Sequence, residues 1–258
     1  MKRLFYLAFL SVPMLALSFC TRSTAKEKPS TNGYHAANFN ATKHIAVLEL
    51  FTSQGCSSCP PADRLLGGYM SKENVIPLSF HVDYWDRLGW KDPFSSKEYT
   101  QRQYKYASTL NANVYTPQLV INGETEMVGS DAGKIATTLQ KISFEKTIAS
   151  VAIEKVNAVN GKVEVTFTTS GNIAGAVANI ALVEKKTTTD VKAGENGGAT
   201  LTNYNVVRNF KSVSGLNDGA NNSTIDIPSS VNQKNVSLVV FLQQKDNNKI
   251  LAGDEVSF

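Results

Sequence analysis

Cysteine is scarce in this chain, with three residues in 258. One of them, Cys20, lies in an N-terminal stretch with the marks of a targeting segment, so the folded part holds a single pair, Cys56 and Cys59. The chain also lacks a basic block and any interleaving of basic with aromatic residues, which argues against nucleic acid as a partner. Its formal net charge of +4 partly reflects the basic N-terminus. Beyond the first apolar run, Leu4 to Leu17, no hydrophobic stretch approaches the length of a membrane span. There is no internal repeat. Past residue 147 there is neither cysteine nor histidine, so thiol or imidazole chemistry belongs to the earlier part of the chain.

Met1-Lys2-Arg3, a short apolar core and small residues near its end describe a secretory signal peptide over residues 1–20 rather than a transmembrane helix. Two processing readings stay open. Ala16-Leu17-Ser18 suits ordinary signal peptidase. Leu17-Ser18-Phe19-Cys20 resembles a bacterial lipoprotein signal with Cys20 as the lipid-bearing residue, although Phe19 stands where a small residue is usual. Residues 21–42 are polar and read as a tether. The expected location is the periplasm or cell envelope, an oxidising compartment where a disulfide persists. The membrane is then met only through an N-terminal lipid anchor at Cys20.

Residues 43–146 alternate strand and helix patterns. His44 to Phe51 reads as a buried strand, Pro60 to Leu66 as the start of a helix, and Val75 to Asp83 as a second strand. Tyr84 to Phe94 forms an aromatic-rich loop, after which Ser95 and Glu98 match a capping box that opens an inserted helix toward Leu110. Gln118 to Glu124 and Thr125 to Val128 form a hairpin, and Asp131 to Lys141 an amphipathic helix. Residues 147–258 instead show short strands separated by Gly- and Asn-rich turns, with a hairpin signal at Asn160-Gly161 and a long surface loop from Thr187 to Thr200. The expected architecture is an α/β thioredoxin-like domain with a helical insertion (43–146), followed by an all-β sandwich-like domain (147–258).

The chemistry concentrates in Cys56-Ser57-Ser58-Cys59, where a strand gives way to a helix. Two thiols at this spacing close a small disulfide, and a thiolate at a helix start gains from exposed N–H groups. That is the requirement for thiol–disulfide exchange, in which the thiolate attacks. Pro60 and Pro61 move the regular helix start toward Cys59, leaving the Ser57 and Ser58 hydroxyls to assist Cys56. With neither Gly-Pro nor Pro-His between the cysteines, the direction of electron flow stays open.

Alternatives from other classes use the same residues. One is a binding or scaffold protein with a structural Cys56–Cys59 bridge. Another is a copper or zinc carrier, in which His81 and Asp83, one apart on the second strand, join the thiols. The plainer reading of His81 and Asp83 is a polar pair at a strand end.

The order of elements resembles a thioredoxin-type fold. That resemblance implies a cis Thr116-Pro117 bond opening the strand that faces the cysteines, against a trans proline on an edge strand. It also implies that Glu49, a carboxylate in an apolar strand, takes the proton of the second cysteine, against a Glu49 that merely faces solvent. More specifically, Val47 through Asp63, His81-Val82-Asp83-Tyr84-Trp85-Asp86, Thr116-Pro117-Gln118, Asp190 through Asn196, and Asn205 through Arg208 resemble the signature of a family of secreted thioredoxin-like proteins, domain of unknown function 1223. The resulting expectation is an exported thiol–disulfide oxidoreductase with Cys56, Cys59, Thr116, Pro117 and Glu49 at its site. Its partners are protein thiols and disulfides and a redox partner protein, and it uses no cofactor.

Overall fold

The computed structural model describes Met1 and residues 45–258, so the expected signal peptide, tether and Cys20 lie outside the described residues. The apolar run Ala46–Thr52 forms β1, buried along its whole length. Residues buried on both faces of a sheet are expected to read as a continuous hydrophobic run. α1 (Pro60–Gly67), β2 (Val75–His81), α2 (Lys97–Leu110), β3 (Gln118–Ile121), β4 (Thr125–Val128) and α3 (Ala132–Ile142) follow. Then come β5 (Ala149–Val159), β6 (Lys162–Gly171), β7 (Ala176–Asp190), β8 (Thr200–Val213), β9 (Gly219–Asp226), β10 (Val236–Gln244) and β11 (Ile250–Ser257).

These strands do not form a thioredoxin-like domain followed by a separate all-β sandwich-like one. β7, β8, β10 and β11 join β1–β4 in a single eight-stranded mixed sheet, ordered β11-β10-β7-β8-β2-β1-β3-β4. The seam is the parallel pairing of β2 with β8, where Ser79 stands opposite Val206. β1 and β2 are also parallel, and the other neighbours in this sheet are antiparallel. Only β5, β6 and β9 form a sheet of their own. The physical reason for the correction lies at the free edge of β2. A strand buried on both faces leaves its edge N–H and C=O groups unpaired unless another strand covers them, and β8 does so.

Alternation divides the core. Val47, Phe51, Ile76 and Phe80 face Tyr99 and Tyr106 of α2 together with Val239 and Phe241 of β10. Ala46, Leu48 and Leu50 point to the opposite face, against Ala62 and Leu66 of α1 and Ile135 and Leu139 of α3. Ile180, Leu182, Leu238 and Val240 pack on Val163, Val165 and Phe167 of the small sheet.

Two local details also differ from expectation. The cap of α2 is Ser96, whose hydroxyl accepts from the Glu98 N–H at 3.1 Å, while Ser95 donates to Asp86 at 2.7 Å. β7 continues to Asp190, so the expected long loop shrinks to 191–199.

Candidate functional site

β1 ends at Thr52, the chain turns through Ser53-Gln54-Gly55, and α1 begins at Pro60. Prolines in the first two helical positions forfeit only N–H groups that have no intrahelical acceptor. Between turn and helix, the Cys56 N–H donates to Ser53 and the Cys59 N–H to Cys56, each at 3.2 Å. Cys56 and Cys59 form a disulfide with Cα atoms 5.4 Å apart. Both cysteines are 0% exposed, whereas Ser57 and Ser58 between them face solvent. The Ser58 hydroxyl lies 3.4 Å from Cys56 Sγ.

Thr116 and Pro117 come to this corner of the molecule, and the bond between them is cis. Trp85 makes the link: its Nε1 donates to Thr116 Oγ1 at 2.8 Å, and its Cβ lies 3.2 Å from where a side chain on Gly55 would begin. Pro117 and Ala62 of α1 meet at Gly129, where an added Cβ would lie 3.4 and 3.2 Å from them and 2.5 Å from Leu50 Cδ1.

Glu49 is not brought to the cysteines. It alternates with Val47 and Phe51 on the face covered by α2. There Arg102 donates from Nε to Glu49 Oε2 at 2.5 Å and from Nη2 to Oε1 at 2.9 Å, and the Tyr106 hydroxyl donates to the same carboxylate. Gln243 of β10 completes the network, and the guanidinium lies over Phe210, 4.7 Å from its centroid. Burial opposes the Arg102 charge, but Glu49 and Tyr106 together outweigh it and raise the guanidinium pKa further. Glu49 therefore holds a buried ion pair between β1 and α2.

A different set of ionisable groups lies on the cysteine side. Asp63 is buried in α1, and its Oδ2 accepts from Thr52 Oγ1 at 3.2 Å. Burial pushes its carboxyl up to about 6, against the opposing pull of the His81 charge and of hydrogen bonds from Thr52 and Asn203; Asp92 adds to the rise. His81 is paired in register with Thr52 on the adjacent strand. Its Nδ1 meets Asp92 Oδ2 at 2.7 Å, and Asp92 also accepts from the N–H groups of Gln54 at 2.8 Å and Phe94 at 2.9 Å. Burial disfavours the imidazolium, but the charge and hydrogen bond of Asp92, with Asp63 behind them, raise the His81 pKa overall. Burial likewise opposes the Asp92 charge, yet His81 and the two N–H donors hold its carboxyl below the usual range.

Asp83 does not join this cluster. Its carboxylate accepts from Thr100 at 2.6 Å, because β2 ends at His81 and the alternation that would align the two residues stops there. Among the described residues no group of three His, Cys, Asp or Glu is placed to hold a metal ion.

The last wall is the 191–199 loop joining β7 to β8. Asn196 Nδ2 donates to the carbonyls of Gln54 and Cys56, both at 2.9 Å, and Glu195 accepts from the Ser57 N–H at 3.0 Å. Hydrogen bonds from the Ser57 hydroxyl and then its N–H hold the Glu195 carboxyl below its ordinary value. Gln54 ties the loop to the rest of the site, donating to Asn203 at 3.0 Å and accepting from Trp90 Nε1 at 3.2 Å. Asp63, Asp92, Glu195 and Asn196 had no place in the sequence-based site. For Asp63 a signal exists, since it follows Cys59 by four residues and so shares its helix face.

The class these features define is a mixed-sheet protein with a buried disulfide at the carboxyl ends of two parallel strands, beside an acid–imidazole cluster. Residues 47–243 match the family described as protein of unknown function (DUF1223), and the chain belongs to that family. A crystal structure of protein AGR_C_4864 from Agrobacterium tumefaciens is similar at 33% identity and a TM-score of 0.63, over 84% of this chain and 96% of that one. HBP35 of Porphyromonas gingivalis is similar in fold, at 15% identity and a TM-score of 0.61, over 85% of this chain and 76% of its own. No curated protein matches the sequence.

Proposed function

We propose that this protein is an exported thiol–disulfide oxidoreductase acting on protein thiols and disulfides. The observation that carries the reading is the Cys56–Cys59 pair at the start of α1, one helical turn from the buried acid Asp63. A partner thiolate attacks Cys56 Sγ, the disulfide breaks, and Cys59 leaves with the electron pair and takes up a proton. A second partner thiolate then displaces Cys56 from the mixed disulfide. The partner dithiol is oxidised and the cysteine pair reduced; the reverse sequence moves electrons the other way. Asp63 exchanges the proton with Cys59, the role that Glu49 is too remote to fill. The Ser58 hydroxyl supports a thiolate on Cys56.

A redox titration of the purified mature protein tests this, together with trapping by Cys59→Ser. Trapped mixed disulfides through Cys56 support the assignment, and trapping only with Cys56→Ser reverses it. The location rests on residues 1–20 as the export signal and residues 21–42 as a tether from a lipid-bearing Cys20. Mass spectrometry of the mature N-terminus separates lipidated Cys20 from a free Phe19 start.

The complete burial of both cysteines favours a second reading, a structural bridge in a binding or scaffold protein. A pair that stays oxidised across the whole range of thiol buffers selects that reading.

A further inference from the structure

We propose that the 191–199 loop is a strap that closes the disulfide to polypeptide partners and must lift before exchange; this rests on the redox reading above. The strap makes three hydrogen bonds to main-chain groups of the redox turn, the Gln54 and Cys56 carbonyls and the Ser57 N–H, and Glu195 also accepts from the Ser57 hydroxyl. These groups flank Cys56, and an incoming polypeptide would pair with them whatever its sequence. With the strap down, Asn196 and Glu195 already fill them.

The strap is built to move without disturbing the sheet. Its base is closed by the Val191 N–H donating to Ala199 and the Gly198 N–H donating to Val191, both at 2.9 Å, and Val191 is buried as an anchor. Glu195 is exposed, and the Glu195–Gly197 tip lies between Gly194 and Gly198, both at positive φ (76° and 86°). Two such glycines absorb a backbone rotation that other residues resist. Lifting the tip breaks the bonds to residues 54–57 and leaves the β7–β8 ladder, which begins again at Asp190 opposite Thr200, in register.

The strap therefore governs the rate of exchange rather than its equilibrium, because its contacts are to backbone groups and the Ser57 hydroxyl, which are present in both redox states. Reduction by dithiothreitol reads this directly. One of its thiolates attacks Cys56 Sγ, Cys59 leaves and is protonated, and the second dithiothreitol thiol displaces Cys56 to give the cyclic disulfide and two protein thiols. Asn196→Ala removes two of the three main-chain bonds, and reduction of the full mature protein is expected to accelerate about tenfold with the midpoint potential unshifted. In the wild-type protein, hydrogen exchange of the Ser57 amide should report the same opening and stay independent of dithiothreitol concentration. This second measurement keeps the question decidable if Asn196→Ala folds poorly. An unchanged reduction rate in a folded Asn196→Ala protein overturns the strap, as does a Ser57 amide as unprotected as a free peptide. If reduction accelerates but no protein partner ever exchanges, the strap stands and the oxidoreductase reading falls. If partners exchange while the variant reduces at the wild-type rate, the strap alone falls.

Discussion

The backbone N–H of Asp63 donates to the carbonyl of Cys59 at 3.1 Å, closing the first turn of α1. The buried acid and the second cysteine thus move as parts of one rigid turn, and the state of the acid is read on the same element as the sulfur. In the proposed exchange, this arrangement makes proton transfer part of the reduction step.

Asp63 should leave a signature in stability against pH. Its folded pKa of about 6 lies above the ordinary aspartate value of 3.8, so the folded state holds the proton more tightly than the unfolded one. The associated stability is fully present below about pH 4 and is lost as the pH rises through 6. Asp63→Asn removes that loss. Relative to wild type it should gain on the order of 1–3 kcal/mol in urea unfolding between pH 4 and pH 7. Its exchange rate should also lose the inflection near pH 6. Parallel unfolding curves for the two proteins at both pH values would refute the assignment.

His81 carries the same sign as Asp63, whereas Asp92, whose carboxyl is held below its ordinary range, carries the opposite one. A histidine whose folded pKa is raised adds stability that is complete below its ordinary value of 6.5 and declines as the pH passes its folded value. Asp92→Asn should lower the His81 titration midpoint, followed by its ring proton resonance. It should cost about 3 kcal/mol at pH 6, where the buried imidazolium loses its partner. A midpoint that does not move would show that Asp92 does not set the charge on His81.

Arg102→Met leaves the Glu49 carboxylate buried and uncompensated, and should destabilise the protein by about 3–5 kcal/mol in denaturant unfolding. Adding Glu49→Leu should recover most of that loss. Glu49→Gln should leave the reduction potential unchanged, since Glu49 stands on the α2 face of the sheet. A clear shift in potential would return Glu49 to the redox site.

Gly123→Ala is expected to be among the most damaging single substitutions in the hairpin of β3 and β4. The residue has φ +70°, and an added Cβ would come 1.9 Å from the Asn248 carbonyl oxygen. Strain of both kinds should exceed about 2 kcal/mol, measured by thermal or urea unfolding. Wild-type stability in this variant would mean that the β10–β11 connection yields easily.

Much of the site was legible before any fold was known. Two cysteines at this spacing between an apolar strand and a proline-led helix define a local structure through their own chain geometry. The Thr116-Pro117 step was likewise legible as the start of a strand. Glu49 shows where such reading stops. Its place in an apolar strand flags a buried carboxylate, yet one position of alternation decides which face it occupies, and only Arg102 and Tyr106, more than fifty residues on, reveal the answer.

The amino-acid sequence by itself pointed to most of the strands, the three α-helices of the described residues, the turn residues and the cysteine pair, because these follow from neighbours a few residues apart. The tertiary structure decided which strands share a sheet, and so turned two expected domains into one mixed sheet joined at β2 and β8. It also decided what surrounds the cysteines. Asp92 and Asn196 meet the Cys56 turn through hydrogen bonds spanning 38 and 140 residues of chain. Such contacts depend on the three-dimensional packing of distant segments, and no local periodicity encodes them.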